Sequence, residues 1–226
     1  MSSSFPLASF LITLLLAASV CTHGGEPVTD TDGDEVQINE AYFIQPVTTE
    51  LSRGGLVPLA ARVSGCSPGI TGSLPEELGT PVSIAFPKGF IRDNTFVNTS
   101  LDITIEFKSN VCKDLSKFWQ VDDFAENRTQ PDILVGGSPR ERNSVFKIEK
   151  AGEVGGINIY NFTTPVGTKT VGVPPGPYRT PPQLVLTSDK DSTLLVKFIK
   201  VYYATTHVTS VSSRVEKLGL RMIPFY

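Results

Sequence analysis

Residues able to do nucleophilic or metal chemistry are scarce in this chain of 226 residues: the histidines are His23 and His207, and the cysteines are Cys21, Cys66 and Cys112. A cysteine or serine nucleophile needs a base beside it, and a histidine zinc site needs several imidazoles. With so few histidines neither has material to work with, and no metal or cofactor is expected. Asp30-Thr31-Asp32-Gly33-Asp34 looks like the start of a calcium loop, but counted from Asp30 its glycine comes at the fourth position, not the sixth. Position twelve is Ala41, where a bidentate glutamate is required, so the segment reads as an acidic turn. Asp122 and Asp123 are adjacent, and neighbouring strand residues face opposite ways, so the pair does not converge on one glycosidic bond. No Gly-rich phosphate loop with a following Lys-Ser or Lys-Thr occurs. An enzyme is therefore disfavoured.

The charge balance excludes another class. Twenty basic and 23 acidic residues leave a formal charge of −3, which gives no field to hold a phosphate backbone, so nucleic acid is not an expected partner.

What the cysteines do depends on where the chain goes. Leu11 to Val20 is an apolar run behind a polar start, followed by Cys21, Thr22, His23 and Gly24, with the small residues Ala17, Ala18 and Ser19 near its end. It is too short to span a bilayer and reads as a secretory signal over residues 1–24. No other stretch is long and apolar enough to span, so a secreted or vacuolar protein with no membrane partner is expected. Export leaves Cys66 and Cys112. In an oxidising compartment these most simply pair; the rival reading, a free nucleophilic thiol, has only His207 to draw on. Three glycosylation sequons, at Asn98, Asn127 and Asn161, agree with export, although Asn161 falls inside an expected strand.

The elements that would carry these residues are strands. Apolar residues alternate in Val82-Ser83-Ile84-Ala85-Phe86, in 101–107 (Leu-Asp-Ile-Thr-Ile-Glu-Phe) and in Phe146-Lys147-Ile148-Glu149, the pattern of a strand with one buried face. Further strands are expected at 42–44, 56–63, 118–121, 157–162, 184–187 and 194–202. Turn clusters lie between them, including Gly54-Gly55, Gly136-Gly137-Ser138-Pro139 and Gly155-Gly156; the 19 glycines and 17 prolines suit many short strands. An all-β barrel or sandwich is predicted. Val211, Val215, Leu218 and Met222 suggest a short C-terminal helix.

Taken in order, several segments resemble the plant Kunitz-type trypsin inhibitors. Asn143-Ser144-Val145-Phe146-Lys147-Ile148-Glu149-Lys150 is similar to the family's N-W-F-K-I-E-K strand, with Val145 in place of Trp. Tyr42-Phe43-Ile44-Gln45-Pro46, Gly54-Gly55-Leu56, Cys66-Ser67-Pro68, Gly79-Thr80-Pro81-Val82 and Trp119-Gln120-Val121 fall in family order around it. The likeness runs from about Val28 to Val201. It implies a β-trefoil domain over 25–203, a Cys66–Cys112 disulfide, and a monomeric inhibitor of a trypsin-like serine protease, with residues 204–226 as an extension beyond the family's usual end.

The resemblance also implies a site. Family inhibitors present one residue of the loop between strands four and five to the protease's specificity pocket. Here that loop holds Pro87, Lys88, Gly89 and Arg92, with Lys88 the first choice for the contact residue and Arg92 the second. Two departures stand out. Thr163 occupies the place of a second-disulfide cysteine, and Asp34 follows Gly33 where the family has an Asn that supports the loop, which an ionised carboxylate cannot replace as a donor. The competing expectation is a non-inhibitory trefoil, a storage protein or a miraculin-like or carbohydrate-binding module.

Overall fold

A computed structural model describes residues 25–47, 54–61, 66–89, 95–109, 112–122, 129–165, 169–174 and 182–202. The expected signal segment, the C-terminal helix and the extension 204–226 lie outside these residues. Among the described residues there are twelve strands: β1 (Ala41–Pro46), β2 (Leu56–Pro58), β3 (Ile70–Gly72), β4 (Val82–Ala85), β5 (Thr104–Phe107), β6 (Phe118–Val121), β7 (Ile133–Gly137), β8 (Lys147–Val154), β9 (Ile157–Thr163), β10 (Thr170–Gly172), β11 (Val185–Thr187) and β12 (Val196–Lys200).

Every strand-to-strand pairing is antiparallel, and the order closes on itself. β4 lies between β1 and β5, β9 between β8 and β12, and β12 returns to β1 with Tyr42 opposite Lys200 and Pro46 opposite Val196. The remaining gap, between β5 and β8, is bridged by Ile103 and Phe146, which exchange N–H···O bonds of 2.8 and 2.9 Å. Six strands thus form a barrel without free edges. The hairpins β2–β3, β6–β7 and β10–β11 touch pairwise across one end, through Gly69 with Leu134, Thr71 with Gln183, and Asp132 with Val185. The chain therefore repeats one unit three times: a barrel strand, a cap hairpin, a barrel strand.

Alternation explains the barrel. Tyr42 and Ile44, Ile103 and Ile105 with Phe107, Phe146 and Ile148, Tyr160 and Phe162, and Val196 and Phe198 all point inward and are almost fully buried. Trp119, from a cap hairpin, plugs the barrel: its ring lies 5.6 Å from Phe107, 5.8 Å from Phe162 and 6.3 Å from Phe146, and Phe162 continues to Phe198 at 6.2 Å. The indole N–H of Trp119 is buried with no hydrogen-bond partner among the described residues. Trp119→Phe removes that unsatisfied donor along with part of the ring. The two effects oppose, so the variant should lose only about 1 kcal/mol in urea unfolding followed by circular dichroism, against the 3–5 kcal/mol usual for truncating a buried aromatic.

Some strand limits differ from expectation. The segment from Leu56 ends as a strand at Pro58 and, after one more ladder bond from the Leu59 N–H to Gly69 O at 2.7 Å, turns into a 3-10 helix, Leu59–Ala61. The segment from Leu101 becomes a regular strand only at Thr104, because Ile103 has already changed partner to Phe146. β8 runs beyond Glu149 to Val154 because it pairs with β9 through the Gly155-Gly156 turn, where both φ values are positive (60° and 82°).

Cys66 and Cys112 form a disulfide with their Cα atoms 5.5 Å apart. It ties the segment before β3, in the first repeat, to the connection between β5 and β6, in the second.

Candidate functional site: the loop between the fourth and fifth strands

The connection from β4 to β5 leaves the barrel at Phe86 and returns through Thr95 to Ile103. Pro87 is buried, while Lys88 and Gly89 are exposed. Gly89 has φ +105° with open space around it, a conformation that side chains rarely adopt. Among the described residues the Lys88 ammonium has no ion-pair partner. Its amide is engaged: the Lys88 N–H donates to the Pro139 carbonyl at 2.9 Å. Arg92 lies outside the described residues, as do residues 90–94 as a whole.

The returning limb is zipped to the chain's N-terminal segment. Ile38 donates to the Thr95 carbonyl (2.8 Å), Gln37 bridges Phe96, Val97 donates to Val36 (2.8 Å), Val28 donates to Val97 (2.9 Å), and Thr99 donates to Glu26 (2.8 Å). The outgoing strand is held alongside by the Asn39 N–H, which donates to Ile84 O at 2.8 Å. Both described limbs are thus fixed by main-chain bonds.

Asp34 makes its hydrogen bonds locally. It is exposed in a turn closed by the Asp30 carboxylate, whose Oδ1 accepts the N–H groups of Asp32 (2.9 Å) and Asp34 (3.1 Å). Among the described residues the limbs are bonded by main-chain groups of the N-terminal segment, including Ile38 and Asn39, and by the Pro139 carbonyl. Asn39 was not singled out from sequence. Its signal is an asparagine just before a strand, at φ +66°, a conformation Asn tolerates better than most residues.

The acidic turn has a second contact. The Tyr202 hydroxyl donates to Asp32 Oδ2 at 2.8 Å, fastening the end of the described chain to its start. That hydrogen bond to a carboxylate favours the protonated phenol and pushes the Tyr202 pKa up to about 12. A phenol whose folded pKa exceeds the unfolded value near 10 keeps its proton longer when folded. The contact is therefore intact below pH 10 and lost as pH rises towards 12. In a phenolate absorbance titration, the difference between the parent chain and Tyr202→Phe should rise near pH 12; a rise near pH 10 would contradict the contact.

Of the three sequons, Asn98 is half-buried in the returning limb, where it bridges Pro27, and Asn127 lies outside the described residues. Asn161 stands in β9 opposite Glu149, its carboxamide oxygen buried without a partner among the described residues.

Three strand–hairpin–strand units around a closed barrel define a β-trefoil. The chain belongs to the plant Kunitz inhibitor family: the family profile described as "Trypsin and protease inhibitor" matches residues 28–200. It is 50% identical over 209 residues to Kunitz trypsin inhibitor 2 of Arabidopsis thaliana, spanning 90% of this chain and 95% of that one. Among solved structures it is similar to the water-soluble chlorophyll protein of Brassica oleracea var. Botrytis with chlorophyll b (41% identity, TM-score 0.67, 78% of this chain and 99% of that one). It shares its fold with soybean trypsin inhibitor (18% identity, TM-score 0.59, 78% and 100%). The matching profile is one of inhibitors, not of enzymes.

Proposed function

We propose that this protein is an exported, substrate-like inhibitor of trypsin-like serine proteases. The observation that carries the reading is the β4–β5 loop, anchored on both limbs by main-chain bonds and bearing the basic residues Lys88 and Arg92. A trypsin-like pocket is acidic and rewards a cation that it desolvates. A residue entering such a pocket also lays its main chain along the protease, as an added strand does. The Lys88 amide is already bonded to Pro139, which supports Arg92 as the inserted residue and Lys88 as its flank, the reverse of the sequence expectation. Titration of the mature chain against trypsin, chymotrypsin and subtilisin tests this. Stoichiometric inhibition of trypsin is expected, and no inhibition of any of the three at micromolar protein overturns it.

A second reading has its own support. The chain is 41% identical to a structure named for chlorophyll binding, well above its likeness to soybean trypsin inhibitor. On this reading the scaffold holds a pigment. Mixing the folded chain with chlorophyll, followed by size exclusion with detection in the red absorption band, tests it: co-elution supports pigment binding, and elution of colourless protein rejects it. A chain inactive in both assays would leave the storage or miraculin-like alternative.

A further inference from the structure

Beside Lys88 lies a second, rigid loop. The bond from the Lys88 amide to Pro139 O joins the two, and a groove of about 280 Å³ opens between them. Its apolar lining includes Pro87, Val145 and Pro165. Its rim is basic: Lys88, Arg140 and Arg142 are all exposed and have no ion-pair partner among the described residues. Two carboxylates also face the groove. Glu141 is exposed, and Asp102 is held by Lys147 at 3.7 Å. The patch is thus net positive on a chain whose formal charge is −3.

The second loop is fixed in place. The fully buried Ser144 hydroxyl accepts the Ser138 N–H at 3.0 Å, the Glu141 N–H donates to Ser138 O at 3.0 Å, and a 3-10 turn, Arg142–Ser144, follows, closed by the Val145 N–H on Arg142 O at 3.2 Å. The Asn143 carboxamide donates to Val121 O at 3.3 Å. Cations mounted on such a support act as a preorganised field, which speeds encounter with an oppositely charged surface.

We propose that the 138–142 loop is a second protease-contacting surface, taking an acidic surface segment of the protease whose carboxylates pair with Arg140 and Arg142 above the apolar floor of the groove. The proposal rests on the inhibitor reading. It adds to that reading a selection among proteases that share a specificity pocket: those with acidic rims are captured faster.

The test compares an anionic with a cationic trypsin. Arg140→Glu/Arg142→Glu should slow association with the anionic enzyme about tenfold at low salt, with the difference shrinking as salt is raised, and should leave the cationic enzyme unslowed. Both side chains are exposed, so matching thermal melts of variant and parent are expected; Arg140→Ala/Arg142→Ala serves if the reversal perturbs them. An unchanged association rate and salt dependence, in a variant that still inhibits, overturns the proposal alone. An equal, salt-independent slowing of both enzymes also overturns it, because it reports a distorted loop. Binding of heparin to the parent chain that the reversal abolishes, with protease kinetics unaltered, would assign the face to a polyanion instead. Failure of the parent chain to inhibit either trypsin overturns the inhibitor reading and this proposal with it.

Discussion

Arg92→Ala should raise the inhibition constant against trypsin about a thousandfold, while Lys88→Ala should raise it only about tenfold. The asymmetry follows from the main chain. A cation buried in an acidic pocket behaves as a hot spot, and losing one costs about 4 kcal/mol or more of binding, equivalent to about three decades in affinity. Lys88 has its amide tied to Pro139 at 2.9 Å, so its backbone is committed within the chain and, on the proposed reading, its ammonium acts from the flank. Steady-state inhibition with active-site-titrated trypsin measures both losses. Prolonged incubation with catalytic trypsin adds an independent readout, since the slowly cut bond should follow Arg92. A larger loss at Lys88, or cleavage after it, would return the role to Lys88 and require the Pro139 bond to break on binding.

The second large effect is on stability. Cys66→Ser/Cys112→Ser opens a bridge between residues 46 apart in sequence, worth about 4 kcal/mol on the chain-entropy account. At about 2–4 °C per kcal/mol for a domain of this size, the melting temperature should fall by roughly 10 °C. Because no cysteine follows Cys112 in the sequence, the third repeat has no bridge to share the loss. Inhibition at 25 °C should survive, since the limbs of the β4–β5 loop are held by hydrogen bonds from 26–39 and from Pro139 rather than by the disulfide. A melting temperature unchanged within about 2 °C would show that the unfolded chain is already restricted by other means.

The segments whose outcome depends only on near neighbours could be read before folding. Val82, Ile84, Ile103, Ile105 and Phe107 alternate with polar residues, and alternation alone places them on one face of a strand. The cysteine pair, two thiols left to an exported chain, and the acidic turn at Asp30 were legible in the same way, because side-chain type carries the information. The loop support was not. It is made by the N–H groups of residues such as Ile38 and Asn39 and by the carbonyl of Pro139, and every residue type but proline presents the same main-chain groups. An attribution based on side chains pointed to Asp34, whose hydrogen bonds are within its own turn.

From the sequence alone came the class: strands with one buried face, a family order of motifs, and a basic loop between the fourth and fifth strands. Tertiary structure decided which groups meet. Closure of the barrel sets Tyr42 opposite Lys200, the hairpin cap brings Asp132 to Val185, and the fold seats the 138–142 loop beside Lys88. The reason is physical: periodicity encodes what a strand does with its own faces, whereas pairing between distant segments depends on backbone bonds and shape that no local pattern specifies.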